Sequence, residues 1–263
     1  MDSYQDINAK SIGSWIKQGW EWGQPISHEV FMAAKRGDWG IVLTPQRIMP
    51  HSWLEPFYKN KSLNGATLIG LASGGGQQMP IFAALGADCT VMDITPEQLE
   101  SERAVSQREG YKINIVQGDM TKTFPFDDKS FDIICHPVSN VYVEDVHHVW
   151  RECYRVLKPG GIIVSGLDNG INYLFLEEPE DEADGPLIVQ YPLPFNPLQD
   201  PMIYDYCMRN DLGIQFSHTI EEQLGGQLKA GLVLTDLYED RDNLPGIGRF
   251  YPQYIASRAR RPE

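Results

Sequence analysis

Residues 67–78 read Thr-Leu-Ile-Gly-Leu-Ala-Ser-Gly-Gly-Gly-Gln-Gln. A short apolar run gives way to three consecutive glycines, Gly74 to Gly76, and then to a segment that opens Met79-Pro80-Ile81-Phe82. That order predicts a strand, a tight turn and a helix. Glycine at such a turn lets the backbone approach a ligand closely, and the first N–H groups of the helix have no partner inside it, so they can meet an anionic or polar group. A second apolar run, Cys89 to Met92, ends in Asp93. An acidic side chain at the end of the second strand can accept both hydroxyls of an adenosine ribose. Loop, strand and acid in this order point to a nucleoside site.

Outward from that stretch, short apolar runs at 67–72, 89–93, 112–116, 131–135 and 161–166 alternate with amphipathic segments. Such alternation marks βαβ units around a parallel sheet. Thr95, Pro96 and Gln98 supply an N-cap, a first-position proline and a capping-box partner for the helix that Gly110 ends. Val143, Val146, Val149, Trp150, Cys153, Val156 and Leu157 form an apolar helical stripe stopped by Pro159 and Gly160-Gly161. Farther on, Thr219 and Glu222 form another capping box, Ile220, Leu224 and Leu228 share one helix face, and runs at 231–238 and 253–258 read as two final strands. The expected fold is α/β: a doubly wound, Rossmann-like, seven-stranded and mostly parallel sheet with helices on both faces.

Two segments stand outside the alternation. Residues 1–64 read as a helical cover, with Ile12, Trp15 and Ile16 at helical spacing and a short helix between Ser27 as N-cap and Gly37 as stop. Residues 65–263 read as the main domain, and within it 168–216 as an irregular insertion expected to form the acceptor pocket together with the N-terminal segment: Pro192, Pro194, Pro197 and Pro201 argue against a regular element, and the acidic run Glu177 to Asp184 reads as a solvated loop.

Composition narrows the function. Against 36 Asp and Glu the chain sets 22 Lys and Arg, a formal charge of −14. No basic stretch offsets it, which argues against nucleic acid as a partner, because affinity for a phosphate backbone is mostly a Lys/Arg contribution. Cys89, Cys135, Cys153 and Cys207 lie far apart with no C-x-x-C pair. Free thiols in a cytoplasmic protein, with no metal site, are expected. Neither a signal-peptide pattern nor an apolar run long enough to span a bilayer occurs, so no membrane association is expected. Of six tryptophans, five fall within the first 53 residues. They read as a docking core for the N-terminal segment, with Trp20 or Trp22 covering a ligand.

There is no Gly-Lys-Ser/Thr, which excludes a P-loop, and a dinucleotide fingerprint would need its third glycine where Met79 stands. The sequence resembles instead the class I S-adenosylmethionine-dependent methyltransferases, in particular their type 11 group. The resemblance rests on the loop Ala72 to Gln78, on Asp93, on Gln117-Gly118-Asp119-Met120 after the third strand, on Phe131 to Asn140 at the fourth, and on Arg155-Val-Leu-Lys-Pro-Gly-Gly161 before the fifth. It implies S-adenosyl-L-methionine as cofactor. Asp93 and the neighbouring Ile94 would hold the ribose, Asp119 with Gly118 and Met120 the adenine, and Ala72, Ser73, Gly74, Gly76 and Gln77 the methionine portion. Two positions depart from the pattern: Gly70 stands where the loop commonly opens with an acid, and Ala72 where it commonly has glycine. Gln77, Gln78 or the carbonyls around Ser73 would then hold the amino group.

The expected activity is methyl transfer to a small-molecule acceptor, with a cofactor-binding protein without turnover and a nicotinamide oxidoreductase as the alternatives. His136, directly after the fourth strand, is the candidate general base and a candidate cofactor contact, since ligands of doubly wound sheets sit outside the carboxyl ends of the strands. His218 could reach the same pocket but reads as structural, and His147 and His148 as surface residues.

Overall fold

The computed structural model describes residues 3–175, 187–242 and 246–263. The acidic run 177–184 lies outside the described residues. Seven strands form one sheet: β1 (Thr67–Leu71), β2 (Asp88–Asp93), β3 (Ile113–Gln117), β4 (Phe131–His136), β5 (Leu157–Asp168), β6 (Val233–Asp240) and β7 (Tyr254–Arg260), in the spatial order β3-β2-β1-β4-β5-β7-β6. The first five run parallel, and β7 lies antiparallel between β5 and β6. The chain steps outward from β1 to β3 and then returns to the other side of β1, so the strand order reverses between β1 and β4. A crevice opens there, outside the carboxyl ends of the strands.

Among the described residues the helices are α1 (Tyr4–Lys17), α2 (His28–Lys35), α3 (Gln78–Ala84), α4 (Pro96–Glu109), α5 (Val146–Val156), α6 (Pro201–Arg209) and α7 (Ile220–Lys229). Successive strand residues point to opposite faces, and both faces are covered. Leu68, Val91, Ile133 and Ile162 pack on one side with Phe82 of α3 and with Trp39, Met49 and Trp53 from the N-terminal segment. Ile69, Ile134 and Ile163 pack on the other with Val149, Trp150 and Cys153 of α5. The expected docking core is therefore real for Trp39 and Trp53. Trp53 also donates from Nε1 to Asp236 on β6 at 2.7 Å.

Local punctuation behaves as read at most helix ends. Ser27 caps α2 by accepting from Val30 N. At α7 the box closes in both directions: Thr219 Oγ1 accepts from Glu222 N at 3.1 Å, and Glu222 Oε2 accepts from Thr219 N at 2.8 Å. Thr219→Ala should lower stability by about 1 kcal/mol. Urea unfolding should show it as a lower midpoint at unchanged slope, and an unmoved midpoint would mean the box is idle.

Two expectations need correction. The Thr95 side chain makes no capping bond at α4. The first turn of that helix lies against the glycine loop, so Gln98 turns to the loop and to Trp22 O rather than back to its own cap. The insertion is also less irregular than its prolines suggest. Asp200 caps α6 through Met202 N and Ile203 N, and Pro201 sits at the first helical position, where its fixed φ and missing N–H cost nothing.

The N-terminal segment is tied to this insertion. Asn8 Nδ2 donates to Ile214 O at 2.9 Å, and its Oδ1 accepts from Ile214 N at 2.6 Å. Ile7, Cys207, Ile214 and Phe216 close a small apolar core around that pair.

Candidate active site

A cavity of about 430 Å³ occupies the crevice. On one side it meets Ala72, Ser73, Gly74 and Gln77 of the loop after β1, Asp93, Ile94 and Gln98 after β2, and Gly118, Asp119 and Met120 after β3. These are the residues singled out from sequence, Gln98 excepted.

The loop is held from behind. Gly74 N donates to Asp93 Oδ2 at 3.1 Å, Gly75 N to Gln98 O at 2.9 Å and Gly76 N to Glu102 Oε1 at 2.8 Å. Those three amides are thus spent on the protein itself. What the glycines provide is approach: Gly75 has φ +94, and a Cβ there would stand 2.8 Å from Trp22 O. Gly76 packs against Val105 and Pro25 and does not reach the cavity, which corrects its assignment as a cofactor contact. Ala72 holds φ +46, a left-handed conformation that disfavours any side chain and marks local backbone strain beside the site.

Asp93 lies buried at the end of β2, with Thr95 N donating to Oδ1 at 2.9 Å and Gly74 N to Oδ2. Burial pushes its carboxyl up from the usual range while these two N–H groups pull it down. Asp119 Oδ1 accepts from Thr121 N at 2.8 Å. Behind the loop, burial raises Glu102 to about 8. Gln77 Nε2 donates to Glu21 O and Gln24 O, clasping the loop to the segment that carries Trp20 and Trp22. Both tryptophans line the cavity, and Trp20 is braced edge-on by Trp15 at 5.4 Å.

His136 is not placed as expected. It is completely buried and lies behind the cavity wall, with Nδ1 3.0 Å from Leu71 O, Nε2 2.9 Å from Asn140 Oδ1, and its ring edge-on to Trp150. Burial lowers its pKa, opposed by the hydrogen bonds to Leu71 and Asn140. With both ring nitrogens occupied and no access to the cavity, it is a poor general base and no cofactor contact; its site is structural. His218 is buried too, its Nε2 3.1 Å from Asn140 O, in accord with the structural reading. His147 and His148 are half-buried on α5.

The individual residues of the opposite wall are not singled out by the sequence, only the segments that carry most of them. It is made by Asp168 at the end of β5, by Asn172, Tyr173, Phe195, Cys207 and Gln215 of the insertion, by Tyr142 and Tyr254, and by Val42 to Pro45 of the N-terminal segment. Asp168 carried one usable signal, a lone acid closing an apolar strand on the ligand side of the sheet.

A family model described as a methyltransferase domain matches residues 69–165. The uncharacterized methyltransferase YbaJ of Bacillus subtilis is 37% identical over 254 residues, 96% of this chain and 96% of its own. The chain belongs to the S-adenosylmethionine-dependent methyltransferases. An S-adenosylmethionine-dependent methyltransferase from Mesorhizobium loti shares the fold, with a TM-score of 0.57 at 20% identity over 75% of this chain and 92% of that one. A ubiquinone/menaquinone biosynthesis C-methyltransferase of Nitrobacter hamburgensis is 38% identical over 81 residues, 30% of this chain and 32% of its own.

Membership in this methyltransferase family sets the nicotinamide alternative aside and makes S-adenosyl-L-methionine the cofactor. The cavity suits it chemically. Asp93, Asp119 and Asp168 line it, and no Lys, Arg or His does so among the described residues. That charge set favours a sulfonium over a pyrophosphate. Gln98 Oε1 is buried beside Gly75 of the loop, with no hydrogen-bond partner among the described residues.

Proposed function

We propose that this methyltransferase modifies a small molecule, bound between the 168–216 insertion and the N-terminal 1–64 segment. The observation that carries the reading is the continuity of the cavity. One continuous space runs from Asp93 and Asp119 to Tyr173, Phe195 and Cys207, and its volume is of the order usual for small-molecule sites. The negative charge of the chain and of the cavity disfavours a nucleic acid in the same place.

When bound, S-adenosylmethionine supplies an electrophilic methyl group on sulfur. The residues of this chain position and exclude. The Asp93 carboxylate has lone pairs left for the ribose hydroxyls and Asp119 for the adenine amino group, with Ile94, Gly118 and Met120 framing the base. Ala72, Ser73, Gly74 and Gln77 flank the methionine end. Trp20 and Trp22 line the same space, and aromatic rings favour a cation at their faces. Transfer is a displacement that removes charge from sulfur, so fixed geometry and a dry site do most of the work. Four buried thiols, Cys89, Cys135, Cys153 and Cys207, support a reducing, cytoplasmic location.

The test is a fractionated acceptor screen. Protein and S-adenosylmethionine are incubated with the ultrafiltrate or the retentate of a cell extract, and S-adenosylhomocysteine release is followed. Release with the ultrafiltrate is expected. Release with the retentate alone would point to a macromolecular acceptor, and release with neither would favour cofactor binding without turnover.

A further inference from the structure

Of the three carboxylates that line the cavity among the described residues, Asp93 and Asp119 belong to its nucleoside side. Asp168 lies on the other side, at the end of β5. It is buried, with 6% of its surface exposed. Oδ1 accepts from Gly170 N at 2.6 Å and Oδ2 from Asn172 Nδ2 at 2.7 Å, which leaves each oxygen a further lone pair. No cation pairs with it among the described residues.

Its neighbours are aromatic. Tyr142, Tyr173 and Tyr254 line the same end of the cavity, and the Asp168 charge helps hold the Tyr173 and Tyr254 phenols in their protonated form. The Tyr173 hydroxyl is committed to Gln215 Oε1 at 2.8 Å, so it is the ring, and not a donor, that Tyr173 brings to the site. A buried carboxylate without a counter-charge is costly. Aromatic rings such as the stacked Tyr173 and Phe195 attract cations at their faces and do nothing for anions there.

We infer that this end of the cavity takes an amine, with the acceptor nitrogen directed at Asp168 and its carbon frame against Tyr173 and Phe195. The inference rests on the small-molecule reading above and names its substrate class. A carboxylate or phosphate acceptor would meet repulsion with no basic side chain to relieve it. Asp168 also provides for the proton. An ammonium nitrogen must shed one proton to expose its lone pair; Asp168 takes it, and the lone pair then forms the N–C bond as the S–C bond breaks with its electron pair left on sulfur. Burial and the nearby Asp242 raise Asp168 to about 6, which is close to the working range of a general base.

Binding of phenethylamine, 2-phenylethanol and phenylacetate to protein saturated with S-adenosylhomocysteine tests the idea, because the three share a frame and differ in charge. Phenethylamine should bind at least tenfold more tightly than 2-phenylethanol, with phenylacetate weakest. In Asp168→Asn the advantage should vanish while S-adenosylhomocysteine affinity stays within twofold. Equal or absent binding of all three, or an advantage that survives in Asp168→Asn, would overturn it. A second arm needs no variant. The titratable groups that interact with Asp168 are the phenols of Tyr173 and Tyr254, with Tyr142 beside them, and the carboxylate of Asp242, and phenethylamine stays charged across the range, so its advantage should fade as pH falls through about 6. Persistence at lower pH would count against the assignment. Failure of S-adenosylhomocysteine itself to bind would defeat the cofactor reading beneath it instead.

Discussion

Asp93→Ala should weaken binding of S-adenosylmethionine and S-adenosylhomocysteine by one to two orders of magnitude. Hydrogen bonds to a charged acceptor contribute roughly 1.5–3 kcal/mol, and about 1.4 kcal/mol is a factor of ten. A second loss adds to the first. The same carboxylate holds Gly74 N and Thr95 N, one on the loop and one at the start of α4. Without it, two N–H groups lose their partner and the loop loses its register against the helix. Asn, which keeps one acceptor oxygen, should fall between wild type and Ala. Isothermal titration calorimetry with S-adenosylhomocysteine measures both, and an unchanged dissociation constant for Asp93→Ala would remove Asp93 from the ribose role.

The largest effect on stability should come from Trp150→Ala, at about 3–5 kcal/mol. Trp150 is fully buried on α5, donates from Nε1 to Glu222 O at 3.2 Å, and stands so close to α7 that a Cβ on Gly226 would lie 2.6 Å from its Cδ1. Its removal opens a cavity and ends the Nε1 bond to Glu222 O, and α7 cannot settle into the gap without losing its other contacts. The ring also supports His136, whose edge-on contact places it in the structural group behind the active-site wall. Chemical denaturation should show the loss, with cofactor affinity at low denaturant nearly unchanged. A cost below about 1 kcal/mol would mean that the site collapses freely.

The legible part of the chain was the part in which local pattern and fold coincide. Except between β3 and β4, the strands from Thr67 to Asp168 are separated by punctuated helices, so the parallel sheet and the place of Asp93 at the end of β2 are legible from spacing, while Asp119 rests on the family resemblance. Trp20 and Trp22 were legible as a cluster of aromatics with no strand to serve. His136 misled because position along a strand says which end of the sheet a residue occupies, but not whether its side chain faces the crevice or the layer beneath. That depends on Leu71 O, Asn140 and Trp150, which are far apart or unremarkable in sequence. Gly76 misled similarly, since a glycine needed for contact with α4 looks the same as one needed for a ligand. Asp168 and the tyrosines around it were hidden for another reason: their meeting depends on a long insertion folding back on β5 and β7, and no local periodicity encodes it.

The Asn8–Ile214 pair joins two points separated by 206 positions. As the chain leaves the ribosome, the nucleoside side of the cavity can form once β5 is out, but the N-terminal helix then has no Ile214 to grip. Its tie to the insertion must wait for the last quarter of the polypeptide, and closing so long a loop is slow because its entropy is lost before the contact repays it. Synthesis thus leaves α1 without its Ile214 partner until four-fifths of the chain has been made.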